Sequence, residues 1–260
     1  MNSHAAATPH GHCEVWWAGP ELARAAHLAL LDATELDRRE RLRDPDDRAR
    51  FTVAAALLRL VVSRHTGDDP AAVTVDRTCD DCGRMHGKPR VPGSGLGVSI
   101  SHSGGRVAVA CGRGVEVGID VEELSRQPDP AALVDHVLTD LEAAHLNAIN
   151  GTDPSHALLT YWTRKEAVLK TTGDGLRVPM TSVAVSPPLH WPRLEAHASR
   201  PELIGRLQMW PLHPGPGYVA AIGVLPTPAP VADSGRSHVV QEADGAVLLD
   251  DFQAIRTSPA

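Results

Sequence analysis

Three short stretches of this 260-residue sequence carry side chains that could act together on a phosphorylated substrate. They are Ser99-Ile100-Ser101-His102-Ser103-Gly104, Val117-Gly118-Ile119-Asp120-Val121-Glu122, and Trp162-Thr163-Arg164-Lys165-Glu166-Ala167-Val168-Leu169-Lys170. Between them they hold three carboxylates, a helix lysine and a hydroxyl–imidazole segment. That set suits magnesium-dependent chemistry on a pyrophosphate, because magnesium takes hard carboxylate oxygens and shares its remaining coordination with substrate phosphates.

Each stretch also has a plainer reading. In a strand starting at Val115, side chains alternate between faces, so Asp120 and Glu122 stand side by side with Gly118 on the face opposite Val117, Ile119 and Val121. A glycine there lets a second backbone or a ligand approach closely. A lone Asp-x-Glu is more often a solvated face, and the two like charges repel unless a cation compensates them. Glu116 is nearest the turn and is expected to be merely solvated. Glu166 and Lys170 are four apart and share a helix face. As a surface ion pair they would contribute roughly 0.3–0.5 kcal/mol. As a site, Glu166 is the third metal ligand or a general base, and Lys170 neutralises a leaving phosphate. Lys165 points elsewhere on the helix and reads as surface charge. Ser101 and His102 fall in what reads as a glycine-supported polar turn after a short strand from Val98 to Ile100. Such a turn can bind phosphate oxygens, or be only a turn. It lacks the nucleophile-elbow pattern of a serine hydrolase, so His102 reads as a phosphate donor rather than a base.

The elements that must position these groups follow from periodicity. Residues 14–17 read as an opening strand. Apolar residues spaced by threes and fours predict a helix from Phe51 to Arg64, stopped by Gly67-Asp68, with a strand at Val73-Thr74-Val75. The second half repeats this outline, with a helix over Tyr161 to Thr172, a stop at Gly173-Asp174-Gly175, and a strand at Val183-Ala184-Val185. Gly112-Arg113-Gly114 between two apolar runs reads as a hairpin. A Pro-rich stretch after Leu225 reads as a linker. The tail beyond it carries one apolar patch, Ala246-Val247-Leu248-Leu249, which either docks as a strand or stays flexible.

Composition bounds the rest. The chain is 42% hydrophobic and 22% charged, enough for a sizeable core, and its 3% aromatic content leaves that core to Ala, Val and Leu. A formal charge of −7 argues against nucleic-acid binding. Without an apolar leader or a run long enough to span a bilayer, the expected location is cytoplasmic, away from membranes. Four cysteines make no disulfide framework. Cys79-Asp80-Asp81-Cys82-Gly83 followed by His86 resembles half a zinc knuckle. With no second Cys-x-x-Cys, the expectation is a reduced pair in a polar loop, and Cys13 and Cys111 read as structural.

The three motifs, in this order and spacing over residues 14–225, resemble the Sfp-type 4'-phosphopantetheinyl transferases. The resemblance implies an α+β fold of two similar α/β subdomains related by pseudo-two-fold symmetry, with the active site at their interface. The expected divisions are 1–116, 117–225 and a flexible tail at 226–260. It implies transfer of the phosphopantetheine arm of coenzyme A to a serine of an acyl or peptidyl carrier protein in polyketide, nonribosomal-peptide or fatty-acid synthesis. Transfer would be magnesium-dependent, release 3',5'-ADP and be carried out by a monomer. Matched by motif, Asp120, Glu122 and Glu166 are the metal carboxylates, Lys170 reaches the pyrophosphate, and Ser101 and His102 contact coenzyme A phosphate. Glu166, Lys170 and His102 form the catalytic set. Arg50 resembles a nucleotide-binding arginine, Arg38 and Arg41 stand where cations for the 3'-phosphate are found, and Gly87-Lys88-Pro89 resembles a segment near the adenine. Ser99 and Thr163 depart from the family's usual Asn and Ser. The residues alone leave two alternatives: a magnesium-dependent nucleotide pyrophosphate hydrolase, and a coenzyme A-binding module without catalysis.

Overall fold

The computed structural model describes residues 12–126, 130–149, 151, 153–227 and 239–257. They form a mixed α and β protein in two compact units. One holds the described residues up to Arg113 together with those from Val239 on; the other runs from Gly114 to Thr227.

The first unit is built on strands β1 (His12–Ala18), β2 (Asp76–Thr78), β3 (Met85–Arg90), β4 (Leu96–Ser103) and β5 (Arg106–Arg113), with helices α1 (Ala33–Arg41) and α2 (Pro45–Thr66). The Asp44 side chain caps α2 by accepting from Asp46 N at 2.8 Å, Pro45 opens it, and Gly67 closes it in the left-handed region at φ 81°. Val53, Leu57, Leu58, Val61 and Val62 of α2 are fully buried with Val98, Val107, Val109 and Cys111 of the sheet. Burying each such aliphatic side chain contributes about 1.5–3 kcal/mol, so this helix–sheet layer is the unit's core.

Two local expectations change here. Val73 and Val75 insert into that core but form no strand, and β2 starts one residue later, at Asp76. The tail patch is not a strand: β11 (Val239–Asp244) adds to β1 in parallel, and Ala246 to Leu249 begin a helix over Ala246–Thr257. Gly245 makes that junction. Its N–H donates to Trp17 O at 2.6 Å, and a Cβ would lie 2.8 Å from that oxygen. The sheet order is therefore β11-β1-β5-β4-β3-β2.

The second unit contains β6 (Val115–Glu123), α3 (Pro130–Val137), α4 (Asp140–Ala148), α5 (Pro154–Thr172), β7 (Val183–Val185), β8 (Leu194–His197), β9 (Gln208–Pro211) and β10 (Tyr218–Pro226); the tail helix is α6. Its sheet is antiparallel, in the order β6-β10-β9, with a separate β7–β8 hairpin. The hairpin expected at Gly112-Arg113-Gly114 does not form. β5 pairs with β1 and β4, whereas β6 pairs with β10 along its whole length. The turn residues permit a hairpin, but the long-range partners outcompete it.

The two units share several side-chain devices. Both long helices open on Asp-Pro and close on a left-handed glycine, Gly67 and Gly173. In each unit a glutamate three residues into a short helix, Glu35 of α1 or Glu142 of α4, closes a capping box and pairs with a buried cation on the long helix, Arg59 or Lys165.

Candidate functional site

A glycine pair sets where α5 lies. Gly118 of β6 and Gly223 of β10 face each other across the ladder. A Cβ on Gly118 would stand 2.2 Å from Thr171 N and 2.3 Å from Ala167 O, and one on Gly223 would stand 2.6 Å from Thr171 Oγ1. The helix backbone therefore rests directly on the sheet backbone, as the sequence allowed for Gly118. This trough brings Lys170 and Glu166 to the face of β6 that carries Asp120.

Lys170 Nζ lies 2.6 Å from Asp120 Oδ1, and Asp120 is only 3% exposed. Both faces of β6 are covered, so the solvated-face reading does not hold for Asp120. Burial, with the Asp120 charge beside it, pushes the Glu166 carboxyl above the usual carboxylate range, and Lys170 opposes that shift. Glu122 follows Asp120 on the same strand face and is half-buried, like Glu116. The three carboxylates do not draw their oxygens within 4.8 Å of one another, as ligands of one ion would. They nonetheless fit a hard divalent cation by donor type and charge, since Asp120 and Glu166 sense each other's charge and share one lysine.

The inner residues of the helix motif hold the site in place rather than act in it. Lys165 is not surface charge: it is fully buried. Its ammonium donates to Val137 O (2.6 Å), Glu142 Oε2 (2.5 Å) and Met180 O (3.1 Å), which satisfies all three protons. Glu142 in turn accepts from Thr139 N and from Val185 N. Arg164 donates to the carbonyls of Ser186, Pro187, Pro188 and His190, and burial pushes its pKa down to about 10. Eleven residues of α5 are buried, so the helix keeps little polar face and both cations are drawn into the fold.

The remaining expected residues lie in the first unit. Ser101 and His102 are on strand β4, not in a turn; the turn is Gly104-Gly105, between the paired Ser103 and Arg106. Gly104 has φ +53°, a left-handed conformation that glycine adopts freely in a tight hairpin turn. Being adjacent on a strand, Ser101 and His102 point to opposite faces. Ser101 is buried, while His102 is exposed in line with the core residues Val98 and Ile100 that face α2. Arg50, 4% exposed and ion-paired with Asp47, donates to Gly104 O at 3.1 Å, so it is tied to this hairpin. Lys88 is half-buried on β3. Arg38 stacks its guanidinium 5.5 Å from the Phe51 ring centroid and lines a small cavity with Val75, Arg77 and Met85. Arg41 is exposed and paired with Asp37 on its own helix.

Residues 116–222, which include Asp120, Glu122, Glu166 and Lys170, match the model of the 4'-phosphopantetheinyl transferase superfamily. The chain is 31% identical over 173 residues to the 4'-phosphopantetheinyl transferase HetI of a Nostoc species, covering 65% of this chain and 70% of that protein. It is 25% identical over 159 residues to a 4'-phosphopantetheinyl transferase of Bacillus subtilis, covering 61% of this chain and 67% of the relative. A solved structure, the holo-[acyl-carrier-protein] synthase of Thermotoga maritima, aligns at 22% identity over 43% of this chain and 63% of that one; its TM-score of 0.34 is too low to identify a shared fold. On the family match and the extent of the Nostoc likeness, the chain belongs to the 4'-phosphopantetheinyl transferase superfamily.

Proposed function

We propose that this protein transfers the 4'-phosphopantetheine arm of coenzyme A to a serine hydroxyl of an apo acyl or peptidyl carrier protein, releasing 3',5'-ADP. The observation that carries the reading is the Asp120–Lys170 contact with Glu166 on the same helix face, inside the segment that matches the family. Asp120, Glu122 and Glu166 would hold a magnesium ion, which when bound offsets charge on the pyrophosphate.

The chain's own residues supply the rest. Glu166 accepts the serine proton as the serine oxygen bonds to the β-phosphorus. The bond from that phosphorus to the bridging oxygen breaks, and 3',5'-ADP leaves with the electron pair. Lys170, held by Asp120, donates toward that departing oxygen. Positioning and electrostatics supply most of the rate, as in other phosphoryl transfers. The same reading gives Ser101, His102 and Arg50 the phosphates of coenzyme A, Lys88 the adenine side, and Arg38 and Arg41 the 3'-phosphate.

Intact-mass spectrometry of an apo carrier incubated with the protein, coenzyme A and magnesium tests this. A carrier heavier by one phosphopantetheine arm, and left unmodified when EDTA is present, is the expected result. Free phosphopantetheine without carrier modification would replace transfer by hydrolysis. Coenzyme A binding without turnover across carrier classes would make this a binding module.

A further inference from the structure

The second metal-type cluster lies outside the site described above, at the turn joining β2 and β3. Cys79, Cys82 and His86 bring one ligand atom each to within 4.8 Å of one another, and Cys82 Sγ is 2.9 Å from His86 Nε2. Both thiols are free. The backbone builds this arrangement. Cys79 N donates to Arg84 O at 2.8 Å, and Gly83 N donates to Cys79 O at 2.9 Å. Gly83, directly after the second cysteine, takes φ +67°, which a side chain would resist. A Cβ on Gly87 would meet Thr78 O at 2.7 Å, so β3 returns tight against β2 and carries His86 back to the cysteines.

A second observation points the same way. β2 and β3 share only the pairs Asp76–Arg90 and Thr78–Met85, at the edge of the sheet. Residues 80–86 are exposed, including Met85 at 43%, so the tip has no apolar core of its own. A small hairpin without a core is marginal in water unless something staples it.

We infer that Cys79, Cys82 and His86 bind one structural zinc ion that clasps the β2–β3 turn, with solvent as its fourth ligand. Two thiolates and an imidazole select zinc over magnesium, so this ion does not exchange with the one proposed at Asp120. Ligand atoms of a tetrahedral zinc site stand about 3.5–3.8 Å apart, so the observed spacing needs only side-chain adjustment. Arg84 Nε, 3.4 Å from Cys82 Sγ, donates to the thiolate and orients it. One consequence rests on the proposed activity: Lys88 follows His86 by two residues on β3, so zinc loss raises KM for coenzyme A and leaves kcat in place.

The test uses the tag-free, full-length, reduced protein. Elemental analysis after dialysis should find about one zinc per chain. Cobalt added to the zinc-free protein should give the visible bands of a tetrahedral site with thiolate-to-cobalt charge transfer. Cys82→Ser and His86→Ala should each lose the zinc, while Asp120→Asn keeps it. Absence of zinc and of the cobalt spectrum in the wild type, or full zinc retention in Cys82→Ser, would overturn the assignment. Zinc bound by a protein that modifies no carrier would count against the proposed activity and leave the zinc site standing.

Discussion

Lys170 Nζ sits 2.6 Å from Asp120 Oδ1 although 50 residues separate the two in sequence. The lysine is 29% exposed at its side chain and the aspartate 4%, so the ammonium reaches from the rim of the site to a carboxylate within it. A charge-assisted bond of this kind fixes the lysine's direction as well as its charge. Asp120 thus has two roles in the proposed reaction, as an oxygen ligand and as the anchor of Lys170.

Replacing Lys170 by Met tests that division. Loss of one preorganised donor costs about 100- to 1,000-fold in kcat. Removing the ammonium also takes a positive charge away from Asp120, so magnesium should bind Lys170→Met at least as tightly as the wild type. Isothermal titration with magnesium, beside kcat from carrier modification, reads both. Unchanged kcat would remove Lys170 from the reaction.

The glycine trough makes a second expectation. In Gly118→Ala the new methyl would overlap the Thr171 and Lys170 backbone, which cannot rotate away. The helix must lift, carrying Glu166 and Lys170 off Asp120, so both thermal stability and turnover should fall together. Overpacking of this kind typically costs 1–3 kcal/mol. A variant with the wild-type melting temperature would show that α5 does not rest on β6 as described.

Two neighbours on α5 should respond in opposite senses. Lys165→Met leaves Glu142 charged and buried without its cation, and breaking such a pair costs about 3–5 kcal/mol. Glu166→Gln goes the other way. Its carboxyl is raised in the folded state, so the fold binds that proton more tightly than the unfolded chain. Stability is lost as pH rises through the Glu166 pKa, and above it the charged carboxylate is a standing cost. In EDTA at neutral pH, Glu166→Gln should therefore melt no lower than the wild type, while its turnover collapses. Melting curves of the two variants, side by side, decide it.

That contrast also marks how far the sequence could be read. A period of two or four places Asp120 on a strand face, and Glu166 and Lys170 on a shared helix face, before any tertiary contact is known, while their roles came only as what the family resemblance implies. Lys165 was not legible, because what makes it a core residue is Glu142, 23 positions earlier, and two carbonyls contributed by other segments. The same limit explains the missing hairpin at Gly112-Arg113-Gly114. Local turn chemistry favours it, but β6 finds its partner in β10, about a hundred residues on. The two motif halves Ser101 and His102 were read as one turn because serines and glycines dominate the stretch. Only the pairing of Ser103 with Arg106 moves the turn past them and sends the two side chains to opposite faces.

The tail supplies the last prediction, through a buried histidine. His27 Nδ1 accepts from Arg24 N at 3.3 Å, so the ring proton sits on Nε2, which donates to Leu249 O of α6 at 3.2 Å. With one nitrogen accepting and the other donating, the ring must be neutral to keep both bonds. Burial lowers its pKa below the ordinary 6.5; nearby Arg24 adds to that shift, while the bond to Leu249 O and the charge of Asp250 oppose it. For a base held down in the fold, the unfolded chain takes up the proton first. Stability is therefore full above about pH 6.5 and is lost as pH falls below it toward the folded value. Protonating Nδ1 removes the Arg24 bond and leaves a charge that burial disfavours, a cost relieved when α6 lifts away and lets water reach the ring. The helix over Ala246–Thr257 should therefore undock before the rest of the first unit unfolds. Hydrogen-exchange protection factors for its amides, corrected for intrinsic rates, should drop between pH 7.5 and pH 5.5, while those of α2 hold. Equal protection of α6 at both values would mean that His27 does not govern how the tail is held.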